Sequence, residues 1–568
     1  MTTAAQRGHL SFALAPGPLP AMVDTAIGAV PSTRLTVPTD TTFTTSNAGH
    51  TAATTSLTLT QNSPTATIVV GDYIMVNTPA GVVTPTHVDG FAGEVMRVTA
   101  LSGGSPQVLT VVRGVMGTVA KAIPSSALAI WKIPHDTNVA TDANYWWTMP
   151  FTGASLAISE MTDMLPPELG STLFTRGGYK AGAFMAGSAQ LEIRLEKYFG
   201  KMLQVMAGTT VTTAPEQAGG WIATYQVNGT VGASATANTI TVDSGLVVVP
   251  GDILGFHASN AGNPNPEKVL VTAVTSATVL QVVRGYDNTA IGAITDNDYV
   301  YRYKRNAVTI FQPDVTNEPA APYLHARRYV PDSTGTAGYT EYGFDGRGVS
   351  LSMALPQAGA ARAEFSAVFR RPFSVDGEFE TNGSTAVVGS SIPGIAESAA
   401  SLVLSCTSNV AFPALGIKGA ADGVFMGAQI QIANITISPQ DGMGIGAYYP
   451  EDWTILSRGA SVRLAYKWKD EALYNTIVYA GDGASFGAWA PQLKYSDVCV
   501  QMKAASNAPV GGCPYELDFF IPNAALNMSA PTLLSGKFIT TEMVAVASWN
   551  GITRGAPWMA FLYNDATY

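Results

Sequence analysis

Charged side chains are scarce in this sequence. Asp, Glu, Lys and Arg make up 13% of the 568 residues, against ~25% in an ordinary soluble domain, while apolar residues reach 46%. So few charges leave a large surface poorly solvated, which implies that much of it is covered by other subunits. Cations are the scarcer sign, 31 Lys and Arg against 41 Asp and Glu, for a formal net charge of −10. With no run of Lys or Arg to neutralise a phosphate backbone, tight nucleic-acid binding is not indicated. Cysteine is nearly missing. Cys406, Cys499 and Cys513 are odd in number and lack CxxC spacing, which fits neither a disulfide framework nor a zinc site, and they read as reduced thiols. No stretch approaches the ~18 uninterrupted apolar residues of a membrane span. The mildly apolar segment after Arg7 is broken by Pro16, Pro18 and Pro20 before it reaches the length of a secretory h-region, and reads as a flexible arm.

Catalytic patterns are equally thin. The histidines, His9, His50, His87, His135, His257 and His325, stand far apart with no HExxH pair, and none reads as a metal ligand. Gly483-Ala484-Ser485-Phe486-Gly487 satisfies the GxSxG expression, but a helical pattern precedes it, Pro491 follows closely, and no histidine lies after it. Asp163-Met-Leu-Pro-Pro-Glu168 reads as a solvated turn and Asp470-Glu471 as a helix start, neither being a desolvated acid–base pair. Gly71-Asp72 and Gly251-Asp252 read as turns, since no further acid follows at calcium-loop spacing. Tyr145-Trp146-Trp147 and Trp453 read as core or subunit contacts. No GxxxxGK[ST] loop occurs. No catalytic, cofactor-binding or metal residue is assigned, no cofactor is expected, and the sequence does not read as an enzyme.

What is present is repetition. A segment near 52–133 pairs with one near 229–304: Ser56–Thr60 with Thr239–Val242, Gly71-Asp72-Tyr73-Ile74 with Gly251-Asp252-Ile253-Leu254, and Glu94–Ala100 with Glu267–Ala273. Val108-Leu109-Thr110-Val111-Val112-Arg113-Gly114 and Val279-Leu280-Gln281-Val282-Val283-Arg284-Gly285 differ only at Thr110 and Gln281. Short β-branched runs separated by Gly-Asp and Arg-Gly predict small all-β modules. A fainter repeat sets Gly187–Gly208 beside Gly459–Gly481. In the first, Leu191, Ile193 and Leu195 alternate before Tyr198, Met202, Val205 and Met206 take helical spacing. In the second, Leu464, Tyr466 and Trp468 precede Ala472, Leu473, Ile477 and Val478. Each predicts a strand feeding a short helix that ends at Ala-Gly.

The expected fold is mainly β and mostly antiparallel: two duplicated sandwich or barrel lobes, each with a short helix, plus two inserted all-β modules. The boundaries are an arm and first strand of lobe 1 at 1–35, module 1 at 36–135, lobe 1 continued at 136–220, module 2 at 221–304, the end of lobe 1 at 305–370 and lobe 2 at 371–568. Further strands are expected at Val349–Leu355, Gln429–Ile437, Thr454–Lys469, Tyr515–Ile521 and Thr540–Trp549.

Several local features resemble the tail tube proteins of long, non-contractile phage tails. They are Arg7-Gly8-His9-Leu10-Ser11-Phe12-Ala13-Leu14, the strand-helix unit ending at Gly208, Gly348-Val349-Ser350-Leu351-Ser352-Met353, Tyr515-Glu516-Leu517-Asp518-Phe519-Phe520-Ile521-Pro522, and Trp558-Met559-Ala560-Phe561-Leu562-Tyr563-Asn564. The modules look like the immunoglobulin-like or small β-barrel decorations of phage structural proteins. Two modules within the first lobe depart from the commoner single C-terminal one. The resemblance implies a lobe built as a twisted β-sandwich with one helix, and six lobes closing into a ring with a continuous inner barrel. Rings stack into the pipe through which DNA leaves, and closure removes exposed strand edges. Two lobes per chain predict a pseudo-hexameric ring of trimers, with a true hexamer as the alternative. By the same resemblance the partners are further copies of the chain, a tape measure protein and terminator or distal tail proteins. Genomic DNA passes without specific binding, no membrane is involved, and the location is the virion tail, reached from the host cytoplasm during assembly. The lumen is expected to carry more Asp and Glu than Lys and Arg, because a cationic wall would hold DNA back. The arm before about Val37 is expected to order on a neighbouring ring, so that loss of residues 1–20 spares folding and stops polymerisation. A capsid or capsid-decorating protein and a receptor-binding tail surface protein are the competing readings. The former should show a long spine helix, yet no helical periodicity here exceeds roughly three turns.

Overall fold

A computed structural model describes residues 9–15, 50–58, 73–77, 95–102, 108–115, parts of 120–133, 146–148, 151–164, most of 178–208, 211–313 with small gaps, 322–331, 338–356, 361–376, 409–412, 417–418, 425–438, 455–468, 472–479, 493–507, 513–531, 539–548 and 556–564. The described chain is mainly β. Its first strands are β1 (His9–Ala15), β2 (Ser56–Thr58), β3 (Tyr73–Asn77), β4 (Val95–Leu101), β5 (Val108–Val115), β6 (Ala129–Ile133), β7 (Trp146–Thr148), β8 (Gly153–Ala154), β9 (Ala157–Met164) and β10 (Gly178–Glu192). Helix α1 (Lys197–Ala207) is followed by β11 (Val211–Ala214), β12 (Gly220–Gln226), β13 (Thr239–Thr241), β14 (Ile253–His257), β15 (Lys268–Ser276), β16 (Val279–Tyr286) and β17 (Tyr299–Arg302). Then come β18 (Val308–Phe311), β19 (Tyr323–Pro331), β20 (Gly338–Pro356), β21 (Arg362–Phe369), β22 (Arg371–Asp376), β23 (Asn409–Phe412), β24 (Ile417–Lys418), β25 (Phe425–Thr436) and β26 (Ile455–Lys467). Helix α2 (Ala472–Val478) precedes β27 (Lys494–Asn507), β28 (Pro514–Met528), β29 (Thr540–Val546) and β30 (Met559–Tyr563).

The two segments repeated in sequence form separate sheets with one strand order, β2-β5-β4-β3-β6 and β13-β16-β15-β14-β17, the second extended by β12. Register agrees pair by pair. Leu57 opposes Leu109 as Ile240 opposes Leu280, and Ile74 opposes Met96 as Leu254 opposes Val269. The bulges after Val95 and Val98 recur after Lys268 and Val271. Buried positions follow, with Leu57, Ile74, Met96, Val98, Leu109 and Val111 making one core and Ile240, Leu254, Val269, Val271, Leu280 and Val282 the other. The shared arginine is a clamp. Arg113 donates to the carbonyls of Thr51 and Thr54, and Arg284 to those of Gly232 and Ala237 at the corresponding turn. In the second module Arg284 is also paired with Glu267 in two-pronged fashion, Nε–Oε1 2.7 Å and Nη2–Oε2 2.8 Å, with both side chains buried.

The remaining strands belong to one large sheet that folds into two layers. One layer runs β9-β10-β21-β20-β25-β26-β29-β28, each neighbour antiparallel. The other holds β7-β1-β19-β20-β22 in the first half and β23-β27-β28-β30-β18-β11 in the second. The long strands β20 and β28 pass through both layers, and they do so in the same way. Residues 339–344 of β20 pair with β22, and residues 347–354 with β21; residues 516–520 of β28 pair with β30, and residues 525–528 with β29. Between the two stretches sit Asp345 (φ 54°) and Asn523 (φ 52°), residue types that tolerate the left-handed region. The freed backbone N–H of each is taken by a bulge residue on the neighbouring strand, Asp345 N by His325 Nδ1 at 3.2 Å and Asn523 N by Asp497 Oδ1 at 2.9 Å. The hairpins β9–β10 and β25–β26, each followed by its helix, occupy matching places.

Helix α1 forms where Phe199, Met202, Leu203, Val205 and Met206 recur on one buried face, and it stops at Gly208, whose φ of 102° closes the last turn. The alternation through Leu195 does not continue the strand. Leu195 lies between β10 and α1, fully buried in the shared core. That core draws on both layers, with Phe12 edge-on to Phe365 at 5.6 Å. Gly348 gives the helix room, since a Cβ there would stand 2.6 Å from Val205 Cγ1.

Residues 9–15 are a paired strand, with Leu10 and Phe12 buried, so loss of residues 1–20 would remove a strand of the sheet, contrary to the expectation that it spares folding. Asp163 lies within β9, paired with Tyr179, and the remainder of its motif from Leu165 to Glu168 lies outside the described residues.

Candidate assembly surface

The layer that begins at β9 crosses both halves of the chain through a single seam. There β20 and β25 pair from Ser350 opposite Ala433 to Pro356 opposite Gly427. One face of this layer packs on the core and the helices. The other alternates outward, as period-two side chains require, in rows that cross the seam: Gln190, Glu364, Ser352, Gln431, Ser461, Val546, Ala525 and Tyr495 are successive cross-strand partners. Among the described residues the charges on this face are Glu192, Glu364 and Glu542 against Arg347, Arg362, Arg463 and Lys467, with Arg463 Nη1 3.5 Å from Glu542 Oε1. Cations exceed acids by one. The acidic excess expected for a lumen does not occur among the described residues of this face.

Its two margins have no further strand partner among the described residues. Among the described residues β9 pairs only with β10, and Lys494–Val498 of β27 pairs only with β28. Leu493, Tyr495 and Val546 are exposed near the second margin, and Ile435 and Leu456 at the end of the β25–β26 hairpin. An open margin with apolar neighbours is a template for strand addition.

The opposite side of the second half is covered. The second module lies over β27, β28, β30 and β18, and Leu270, Val283 and Tyr286 from the module share a core with Cys499, Phe520, Phe561 and Tyr563. A buried polar cluster sits in this contact. Tyr286 Oη is 2.9 Å from Glu516 Oε1 and 2.6 Å from Asp518 Oδ2. Lys503 bridges Asp287 (2.6 Å) and Glu516 (3.5 Å), and Lys268 binds Asp287 at 2.6 Å. Beside it, Asp252 is held by Arg305 (2.6 Å) and Arg302 (3.0 Å), and Tyr563 donates to the carbonyl of Gly251. Burial and the neighbouring Glu516 hold the Asp518 carboxyl well above the usual range, and burial raises Glu516 against the opposing pull of Lys503. Burial also pushes Tyr286, Tyr563 and the Cys499 thiol well up, so all three stay neutral.

No family model and no curated protein matches the chain. The residues singled out in sequence are not brought together. His50 and His325 are buried in different parts of the fold, and His257 lies half-buried on the second module. Among the described residues no group of His, Cys, Asp and Glu is arranged to hold a metal, and no helix is long and apolar enough to cross a membrane. Cys499 and Cys513 are free thiols. The Gly483–Gly487 motif, Asp470-Glu471, Trp453, Tyr145, Cys406, His87 and His135 lie outside the described residues. Gly251 takes a φ of 90°, as a turn requires, but Asp252 beside it is the centre of a buried ion pair. The Glu516–Asp518 pair was missed. Its signal was two acids on one side of a strand whose other residues, Leu517, Phe519, Phe520 and Ile521, are apolar on both sides, a pattern a solvated face does not produce.

Proposed function

We propose that this chain is a structural virion protein, the subunit of a phage tail tube, and that it has no catalytic role. The observation that carries the reading is the shared pairing plan of the two halves, down to the bulge-and-bend at His325–Asp345 and Asp497–Asn523. A chain with two equivalent lobes, already joined edge to edge at the β20–β25 seam, contains the template for joining the next chain. Its margins at β9 and at β27–β28, which have no further strand partner among the described residues, would then meet a second copy. Three chains supply the six lobes of a pseudo-hexameric ring, and stacked rings form a pipe walled by the uncovered sheet face. A wall of nearly balanced charge suits passage of a duplex, because it offers no cationic stripe from which counterion release could be gained. On this reading the second module, packed on the opposite layer, faces outward. Genomic DNA is a transient passenger, and the tape measure and terminator or distal tail proteins are the further partners.

Negative-stain images of the purified full chain test the class of function. Hollow tubes are expected. Closed shells would favour a capsid role, and isolated trimers a receptor-binding one; either would overturn the proposal.

A further inference from the structure

The contact between the second module and the second half holds more acid than its donors satisfy. A phenol carries one hydrogen, yet Tyr286 Oη is within hydrogen-bond distance of both Glu516 Oε1 (2.9 Å) and Asp518 Oδ2 (2.6 Å). If both carboxyls were ionised, one of these approaches would set two oxygens together with no hydrogen between them. The missing hydrogen must therefore come from a carboxyl. Glu516 Oε1 has other donors, Lys503 Nζ and Gln501 Nε2, each at 3.5 Å. Asp518 is fully buried, and its second oxygen, Oδ1, meets no donor among the described residues.

Charge counting agrees. Glu516 and Asp287 balance Lys503 and Lys268, so a second charge on Asp518 would be buried without a partner. The other groups packed around it do not supply one. Cys499 and Gln501 on β27 are neutral, Tyr563 on β30 is a phenol, Asp497 adds negative charge, and Arg305 and Arg302 direct their donors to Asp252 and to Pro215, Asn306, Gln217 and Val247, none to Asp518.

We propose that Asp518 keeps its proton and donates it to Tyr286, which donates in turn to Glu516, and that this chain of hydrogen bonds is a proton-dependent latch fastening the second module to the lobe beneath. The inference stands on the intramolecular contact and is independent of tube assembly.

The sign follows from linkage. Opening the contact exposes Asp518, which then titrates in the ordinary carboxylate range, whereas in the closed state it titrates higher. The closed state is thus favoured in full below the ordinary range and loses that advantage as pH rises toward the raised value. While Asp518 is protonated when closed and ionised when open, the opening equilibrium constant should grow about ten-fold per pH unit.

Native-state hydrogen exchange of β16, β27 and β28 on the full chain, with intrinsic rates divided out, measures that constant. Wild type should show the slope, while D518N, which carries no charge and can still donate to Tyr286, should lose most of it, keeping only the smaller contribution of Glu516. A flat wild-type profile, or an unchanged slope in D518N, would overturn the latch. Should D518N fail to fold, infrared spectroscopy of the wild type decides. The carbonyl stretch of a protonated carboxylic acid near neutral pH is expected, and its absence contradicts the proposal.

Discussion

Arg284→Ala is expected to destabilise the second module by about 3–5 kcal/mol, because removing one member of a buried ion pair strands the other. Glu267 would remain buried with two backbone donors, Gly285 N and Gly292 N, but no cation. The carbonyls of Gly232, Ala237 and Gly292 would lose the guanidinium that now ties the turns of the module together. The matching change Arg113→Ala should cost less, since Arg113 is only half-buried. Replacing both Arg284 and Glu267 by Met should recover much of the loss, as paired removal avoids a stranded charge. Chemical denaturation monitored by exchange of β15 and β16 checks all three. A double variant no better than Arg284→Ala would mean that the carbonyl contacts, and not the ion pair, dominate.

Deletion of residues 1–15 should abolish folding of the first half rather than merely block assembly. Strand β1 fills the gap between β19 and β7, and Phe12 packs its ring against Phe365 and Phe369. Loss of a single buried Phe side chain costs about 3–5 kcal/mol, and the deletion also opens the backbone bonds of β19 from Tyr323 to Tyr329. Phe12→Ala separates packing from pairing: it should lower the unfolding midpoint strongly while leaving the protein foldable at low temperature. A deletion variant with wild-type stability would show that β1 contributes little to the core.

The likeness of the two small sheets was legible in sequence because it depends on side-chain identity at fixed places. The same Leu, Val and Arg positions face the same core and the same turn, so Leu109 and Leu280, or Arg113 and Arg284, could not diverge far. The likeness between the two halves was visible only at the strand-helix units. Its most specific feature is a backbone manoeuvre, and the N–H at each bend is satisfied by an imidazole in one half and a carboxylate in the other. Geometry was kept while residue type changed, which leaves no trace in a comparison of letters. A first strand within residues 1–35 is legible in the sequence, but its weight in the core is not, because Phe365 and Phe369, which pack on Phe12, lie far along the chain. The Glu516–Asp518 pair escaped because what buries it, Tyr286, lies 230 residues away. The helix after β26 was foreseen from Ala472, Leu473, Ile477 and Val478, and it runs Ala472–Val478.

If one chain supplies two consecutive segments of a closed wall, joined as β20 and β25 are joined within the chain, a reconstruction of the purified assembly without imposed symmetry will show three chains per ring with alternating unlike lobes around a continuous inner sheet; six indistinguishable subunits per ring, or particles with no axial channel, would contradict it.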